Sequence, residues 1–138
     1  MISPTIEQCM NRDFAKITPD MPVVEATQLL TQKEVLGGPV IDKDGILLGW
    51  ISEQECLQVC IQVLYHNERV STVEKIMRKD VLSVTLQDDF LNLASQMLTN
   101  KPKSYPVLDA KGKVLGVVSR RRILKMMDQQ IGNLGAKG

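Results

Sequence analysis

The stretch PVIDKDGILLGWISEQECL, Pro39 to Leu57, returns as PVLDAKGKVLGVVSRRRIL, Pro106 to Leu124, at a constant offset of 67 residues and without a gap. Eight of the 19 pairs are identical: Pro39/Pro106, Val40/Val107, Asp42/Asp109, Gly45/Gly112, Leu48/Leu115, Gly49/Gly116, Ser52/Ser119 and Leu57/Leu124. Upstream, CMNRDFAKIT aligns with IMRKDVLSVT at the same offset, pairing Met10 with Met77 and Asp13 with Asp80. One extra residue around Phe90 to Leu93 then intervenes before Ala26 and Ala94. Self-similarity at a fixed period makes the repeat the unit of architecture. The first copy spans residues 5–66, the second 71–131, and residues 132–138 form a short flexible tail.

Each copy carries the same succession of signals. The runs Phe14–Thr18 and Val81–Thr85 are rich in β-formers and predict a strand. An amphipathic helix follows. In the first copy Pro22 suits its opening turn, and Val23, Ala26, Leu29 and Leu30 share a face. In the second, Asp88 and Asp89 favour the helix start, and Leu91, Ala94, Met97 and Leu98 form the apolar face. Two short strands then flank Lys43-Asp44-Gly45 or Ala110-Lys111-Gly112, whose glycine supplies the positive φ of a tight hairpin. Ser52 and Ser119 are placed to cap the closing helices, and Ser52-x-x-Glu55 reads as a capping box. Ser3-Pro4 with Glu7, and Ser71-x-x-Glu74, each open a further short helix.

Composition narrows the function. With 43% apolar and 24% charged residues the chain has globular rather than disordered composition. No apolar run is long enough for a membrane span, and Met1-Ile2-Ser3-Pro4 does not read as a secretion signal, so a soluble, cytoplasmic protein is expected. Three cysteines, two of them (Cys56 and Cys60) at helical spacing, indicate no disulfide scaffold. Aromatic residues are too sparse for a single-strand stacking platform, so a nucleic-acid partner is not expected. The net charge of +1 conceals a division: residues 1–69 carry −5 and residues 70–138 carry +6. An acidic and a basic surface follow, either as plain solvated faces or as complementary interfaces.

A β-α-β-β-α unit carrying P-V-h-D, a glycine turn, then G-h-h-S and a helix, present twice, resembles the tandem cystathionine-β-synthase (CBS) domain pair over roughly residues 5 to 131. The resemblance implies an α+β module with pseudo-twofold symmetry that dimerises. It implies a regulatory role toward an unidentified fused or partner protein, and clefts for adenosine-containing ligands such as AMP, ADP, ATP or S-adenosylmethionine, with no ligand fixed. No catalytic role is expected, since two repeats nearly consume the chain. The alternative is a ligand-free structural or interaction module with degenerate clefts.

The resemblance also implies site residues. In such a cleft the first strand and the segment before P-V-h-D of one repeat meet the S/T-x-x-D of the other; the hydroxyl helps hold phosphate at a helix N-terminus, and the acid accepts from ribose hydroxyls. One cleft then comprises Ser52, Gln54 and Glu55 with Asp80, Val81, Leu82, Lys103 and Ser104. The other comprises Asp13, Phe14, Ala15, Val35, Leu36 and Gly37 with Ser119, Arg121 and Arg122. Both depart from the pattern. Glu55 replaces the aspartate but still accepts hydrogen bonds, whereas Arg122 offers donors only. The first cleft is therefore the one expected to take a nucleotide, and the second at most a simple anion.

Arg120-Arg121-Arg122 sets three cations in the first turn of a helix, against its macrodipole. Either an anionic partner offsets them or they project into water on packed stems. Lys103 reads either as a phosphate contact or as a solubilising lysine beside Lys101. Cys56, Cys60, Met97, Met126 and Met127 read as core or interface filler, no metal site is expected, and Trp50 packs between the repeats. His66 lies near a helix end without a nucleophile in view. The closing helices are apolar around much of their circumference (Cys56, Leu57, Val59, Cys60, Ile61, Val63 and Leu64; Ile123, Leu124, Met126, Met127 and Ile131), which predicts a homodimer. Its two orientations, like repeat on like or first on second, both remain open.

Overall fold

The computed structural model describes residues 3–137; Met1, Ile2 and Gly138, the ends of the N-terminal stretch and of the expected tail, lie outside the described residues. Each repeat builds one antiparallel hairpin, β1 (Gly37–Ile41) with β2 (Leu47–Ser52) and β3 (Ser104–Leu108) with β4 (Val114–Ser119). Both ladders slip at the same place, between Val40 and Ile41 and between Val107 and Leu108. The aspartate of P-V-h-D closes the turn. Oδ1 of Asp42 accepts from the N–H groups of Asp44 and Ile46, and Oδ1 of Asp109 from those of Lys111 and Lys113. Gly45 and Gly112 take φ of 83° and 86°, which a side chain would resist.

Among the described residues six helices surround the hairpins: α1 (Ile6–Cys9), α2 (Val23–Lys33), α3 (Glu53–His66), α4 (Val73–Ile76), α5 (Phe90–Gln96) and α6 (Arg120–Lys137). The short helix leading into each repeat belongs to the core of the other. Ile6, Cys9 and Met10 pack with Val84, Phe90, Leu93, Met97, Tyr105 and Val107 of the second repeat. Val73, with Ile76 and Met77 beside it, packs with Ile17, Val23, Leu30, Val40 and Ile51 of the first. A third cluster of Phe14, Ile41 and Val114 joins the halves.

Several local expectations are corrected. Residues 14–18 and 81–85 form no strand, only single parallel bridges, Ile17 to Val40 and Val84 to Val107. Ile41 N–H donates to Ile17 and Leu108 N–H to Val84, but two residues earlier on the same strand edge stand Pro39 and Pro106, which have no N–H to extend the ladder. Along α5 and its C-cap the buried face is Phe90, Leu93 and Met97 with Ala94 packed against it, so Ala94 and Met97 lie where expected, while Leu91 and Leu98 face outward. Both sets have helical spacing, and packing beneath Tyr105 selects the first. Pro22 is the N-cap of α2, not a first-turn residue. The box opening α1 is Thr5 with Gln8, and Thr72 rather than Ser71 caps α4. Residues 132–137, expected as a frayed tail, continue α6.

Candidate functional site

The seam between the repeats is built twice, in pseudo-symmetric form. Main-chain N–H and C=O groups of Asn11 pair reciprocally with Val117 at 2.7 and 2.9 Å, and those of Arg78 with Trp50 at 2.9 Å each way. The hairpin turns are joined as well, Leu47 N–H to Gly112 and Val114 N–H to Gly45. Such contacts require the chain to come unusually close at Gly49 and Gly116. A Cβ on Gly49 would lie 2.7 Å from the Arg78 carbonyl oxygen, and one on Gly116 would lie 2.9 Å from that of Asn11. The glycine of G-h-h-S thus serves the partner repeat. Trp50, expected to pack between the repeats, joins the seam through its main chain, while its indole lies over Gly37 of its own repeat.

The serine and the residue three on sit at the ends of these seams, on the first turns of α3 and α6. Ser52 is the N-cap of α3, yet its hydroxyl donates to Oε2 of Glu55 instead of accepting from the helix, so no capping box forms. Oε1 of Glu55 lies 3.4 Å from Nε of Arg78 and is fully shielded from solvent without a hydrogen-bond partner. At the equivalent place Ser119 does cap α6, accepting from Arg122 N–H at 3.2 Å. The Arg122 guanidinium turns to the end of α1, donating from Nε to the Cys9 carbonyl at 2.6 Å and from Nη2 to that of Met10 at 3.4 Å. Arg122 thus has partners, but they are carbonyl oxygens, and neither expectation for the triplet included them.

The expected site residues regroup around these seams. Glu55 meets Arg78, two residues before Asp80, while Arg122 meets Cys9 and Met10, which precede Asp13. Within each repeat Gly37 pairs with Ser52 and Ser104 with Ser119, and the carbonyls of Leu36 and Lys103 accept the first N–H of α3 and α6. Val35, Leu36 and Gln54, expected in different clefts, line one groove of about 650 Å³ between α2 and α3. Arg121 lines a second hollow of about 530 Å³ on α6. Asp13 is exposed and paired with Lys33 at 3.1 Å, and Phe14 and Ala15 are buried in the core. Asp80, Leu82 and Lys103 are exposed, and Val81 is half-buried. Sequence reasoning missed Arg78; its signal was only a cation at the repeat position of Asn11.

Burial pushes the thiols of Cys9 and Cys56 above their ordinary value, against partial opposition from Arg122 and from a Thr27 hydrogen bond respectively. The Asp109 carboxyl is held below the usual range by the turn N–H groups, first that of Lys113. Among the described residues no cluster of three or more His, Cys, Asp or Glu could hold a metal, and no helix is long and apolar enough to cross a membrane.

This twofold architecture, with its S-x-x-acid turn at a seam, defines a class. The CBS domain model matches residues 6–61 and again 73–129, and the chain belongs to the CBS domain family. Among curated relatives it is 29% identical over 123 residues to a CBS domain-containing protein, MJ0729, of Methanocaldococcus jannaschii, covering 87% of this chain and 92% of that one. It is 28% identical to the uncharacterized protein MJ1004 of the same organism, matching over 88% of its own length and spanning only 56% of that relative. Among solved structures, CBSX2 in complex with AMP superposes with a TM-score of 0.79 at 26% identity, covering 92% of this chain and 98% of that one.

Proposed function

We propose that the chain is a regulatory module that binds an adenosine-containing ligand, AMP, ADP, ATP or S-adenosylmethionine, in the cleft closed by Ser52 and Glu55. On this reading it works without catalysing a reaction, as a homodimer that signals to a regulated protein. The observation that carries it is Oε1 of Glu55, a shielded acceptor that has Arg78 as an ion-pair neighbour at 3.4 Å but no hydrogen bond. A shielded acceptor without a hydrogen bond is costly, and ribose hydroxyls are donors of the right kind. The AMP complex of the structurally similar CBSX2 supports the ligand class. Outward-facing Leu57, Ile61, Leu64, Leu124 and Ile131 on α3 and α6 support the dimer.

A second reading, a ligand-free interaction module, draws on Arg78 and Arg122, which tie both S-x-x-E/R turns to the opposite repeat. Calorimetric titration with the four ligands separates the two. The sensor reading expects binding that Glu55→Ala weakens about ten- to hundred-fold and Arg122→Ala leaves nearly unchanged, with thermal melts confirming folding. Silence toward all four ligands by the folded protein supports the second reading.

A further inference from the structure

We infer that the second copy docks head to tail, the α3 face of one chain's first repeat against the α6 face of the other chain's second repeat. The inference rests on the dimer reading above and adds its orientation.

The two faces have equivalent apolar centres and opposite charge. Leu57 and Leu124 occupy equivalent repeat positions and are 62% and 66% exposed. Around Leu57, the groove between α2 and α3 has Glu34 and Glu53 and no cation in its lining. Around Leu124, the hollow on α6 has Arg120, Arg121 and Lys125, against the single carboxylate of Asp128. The repeat offset places Arg120 where the first copy has Glu53, Arg121 where it has Gln54 and Lys125 where it has Gln58.

Among the described residues none of these charges has an ion-pair partner. The ion pairs among the described residues involve Glu7, Arg12, Asp13, Lys33, Glu55 and Arg78 only. Arg120 and Arg121 lie in the first turn of a helix, where the macrodipole disfavours cations, so their charge is unfavourable in the isolated chain. A like-on-like dimer would set Glu34 and Glu53 near their own copies, and Arg120, Arg121 and Lys125 near theirs. A head-to-tail dimer pairs each set with its opposite, twice over. Around a shared apolar centre that difference selects the orientation, since juxtaposed like charges are the penalised arrangement.

The test is sedimentation equilibrium of the full chain at low and at high salt. Wild type should be a dimer that weakens with added salt. Glu34→Lys with Glu53→Lys should raise the dimer dissociation constant about ten-fold or more, and Glu34→Gln with Glu53→Gln should raise it less. Adding Arg120→Glu and Arg121→Glu to the lysine variant restores opposite signs at both contacts and should bring affinity back to within about three-fold of wild type. Circular dichroism melts check folding, and the glutamine pair provides a milder variant if the lysine pair disturbs α3. A wild-type dimer unaffected by either pair overturns the head-to-tail arrangement while leaving the dimer standing. A monomeric wild type overturns the dimer reading itself, and this inference with it.

Discussion

Arg122 and Cys9 stand 113 positions apart in the chain, yet Nε of the one donates to the main-chain carbonyl of the other at 2.6 Å. A guanidinium at the C-terminal end of α1 meets carbonyls that the helix leaves unpaired. Glu55, its counterpart in the first repeat, faces Arg78 instead. One position of the repeat therefore fastens both seams with opposite chemistry. Arg122→Ala should lower unfolding free energy by about 1–2 kcal/mol in urea titration. Added phosphate should not raise the melting temperature through Arg122, because the guanidinium is already engaged. Stabilisation by phosphate that Arg122→Ala abolishes would show that an anion competes for it.

The two seam glycines should be intolerant of a single methyl. Gly49→Ala drives a Cβ to within 2.7 Å of both the Arg78 carbonyl oxygen and the Met77 sulfur, and Gly116→Ala to 2.9 Å of the Asn11 carbonyl. Each should cost about 1–3 kcal/mol, because backbone on the far side must move. Gly132 and Gly135 provide the opposite control. Both lie within α6, and a Cβ added at either would meet nothing within 4 Å, so alanine there should stabilise by up to about 1 kcal/mol. Chemical denaturation of the four variants checks the ordering.

The repeat made the hairpins legible from the sequence. Asp42 and Gly45, with their copies, and Ser119 each have a local job that a short motif records. Their neighbours across the seam were not legible, because Gly49 against Arg78 and Gly116 against Asn11 are contacts between copies, and a repeat pattern does not say which copy a residue serves. The exchange of α1 and α4 between cores follows the same logic: Ile6 and Val73 look alike as short apolar helix residues, and only packing decides where they go. On α5, Leu91 with Leu98 and Phe90 with Met97 are equally good seven-residue spacings, and the core chose the second. Arg122 was visible as a misplaced cation, but the carbonyls it satisfies lie beyond any local pattern.

The three thiols should separate cleanly. Cys9 and Cys56 are each 2% exposed, while Cys60 is half-buried. Ellman's reagent should therefore titrate Cys60 first, and Cys9 and Cys56 only at the rate of unfolding. Burial raises both buried thiols above their ordinary 9.0. Once pH passes 9.0 the unfolded chain releases thiol protons that the folded chain retains, so stability should fall with rising pH there. Urea midpoints from about pH 7 to about pH 10 check it, and a flat profile would show that neither thiol is held neutral by the fold.

Tyr105 presents the clearest local conflict between burial and polarity. It occupies the repeat position of Gly38, is 2% exposed, and its hydroxyl has no hydrogen-bond partner. Around it lie Val84, Phe90, Leu93, Met97 and Val107, an apolar environment in which the ring is well placed and the hydroxyl is not. Losing water without gaining a partner costs about 1–3 kcal/mol, so Tyr105→Phe should stabilise the protein by about 1 kcal/mol once some relaxation of the wild type is allowed for. Tyr105→Ala should instead cost about 3–5 kcal/mol, because the ring is core. Burial also raises the Tyr105 phenol above its ordinary 10.0. As pH rises past 10.0 the unfolded phenol ionises before the folded one, so the wild type loses stability there, and Tyr105→Phe should lose less. Urea denaturation of both variants at about pH 7, with Tyr105→Phe repeated above about pH 10, decides the matter. Destabilisation by the phenylalanine at neutral pH would mean that the hydroxyl has a partner in solution, such as a bound water, that offsets its burial.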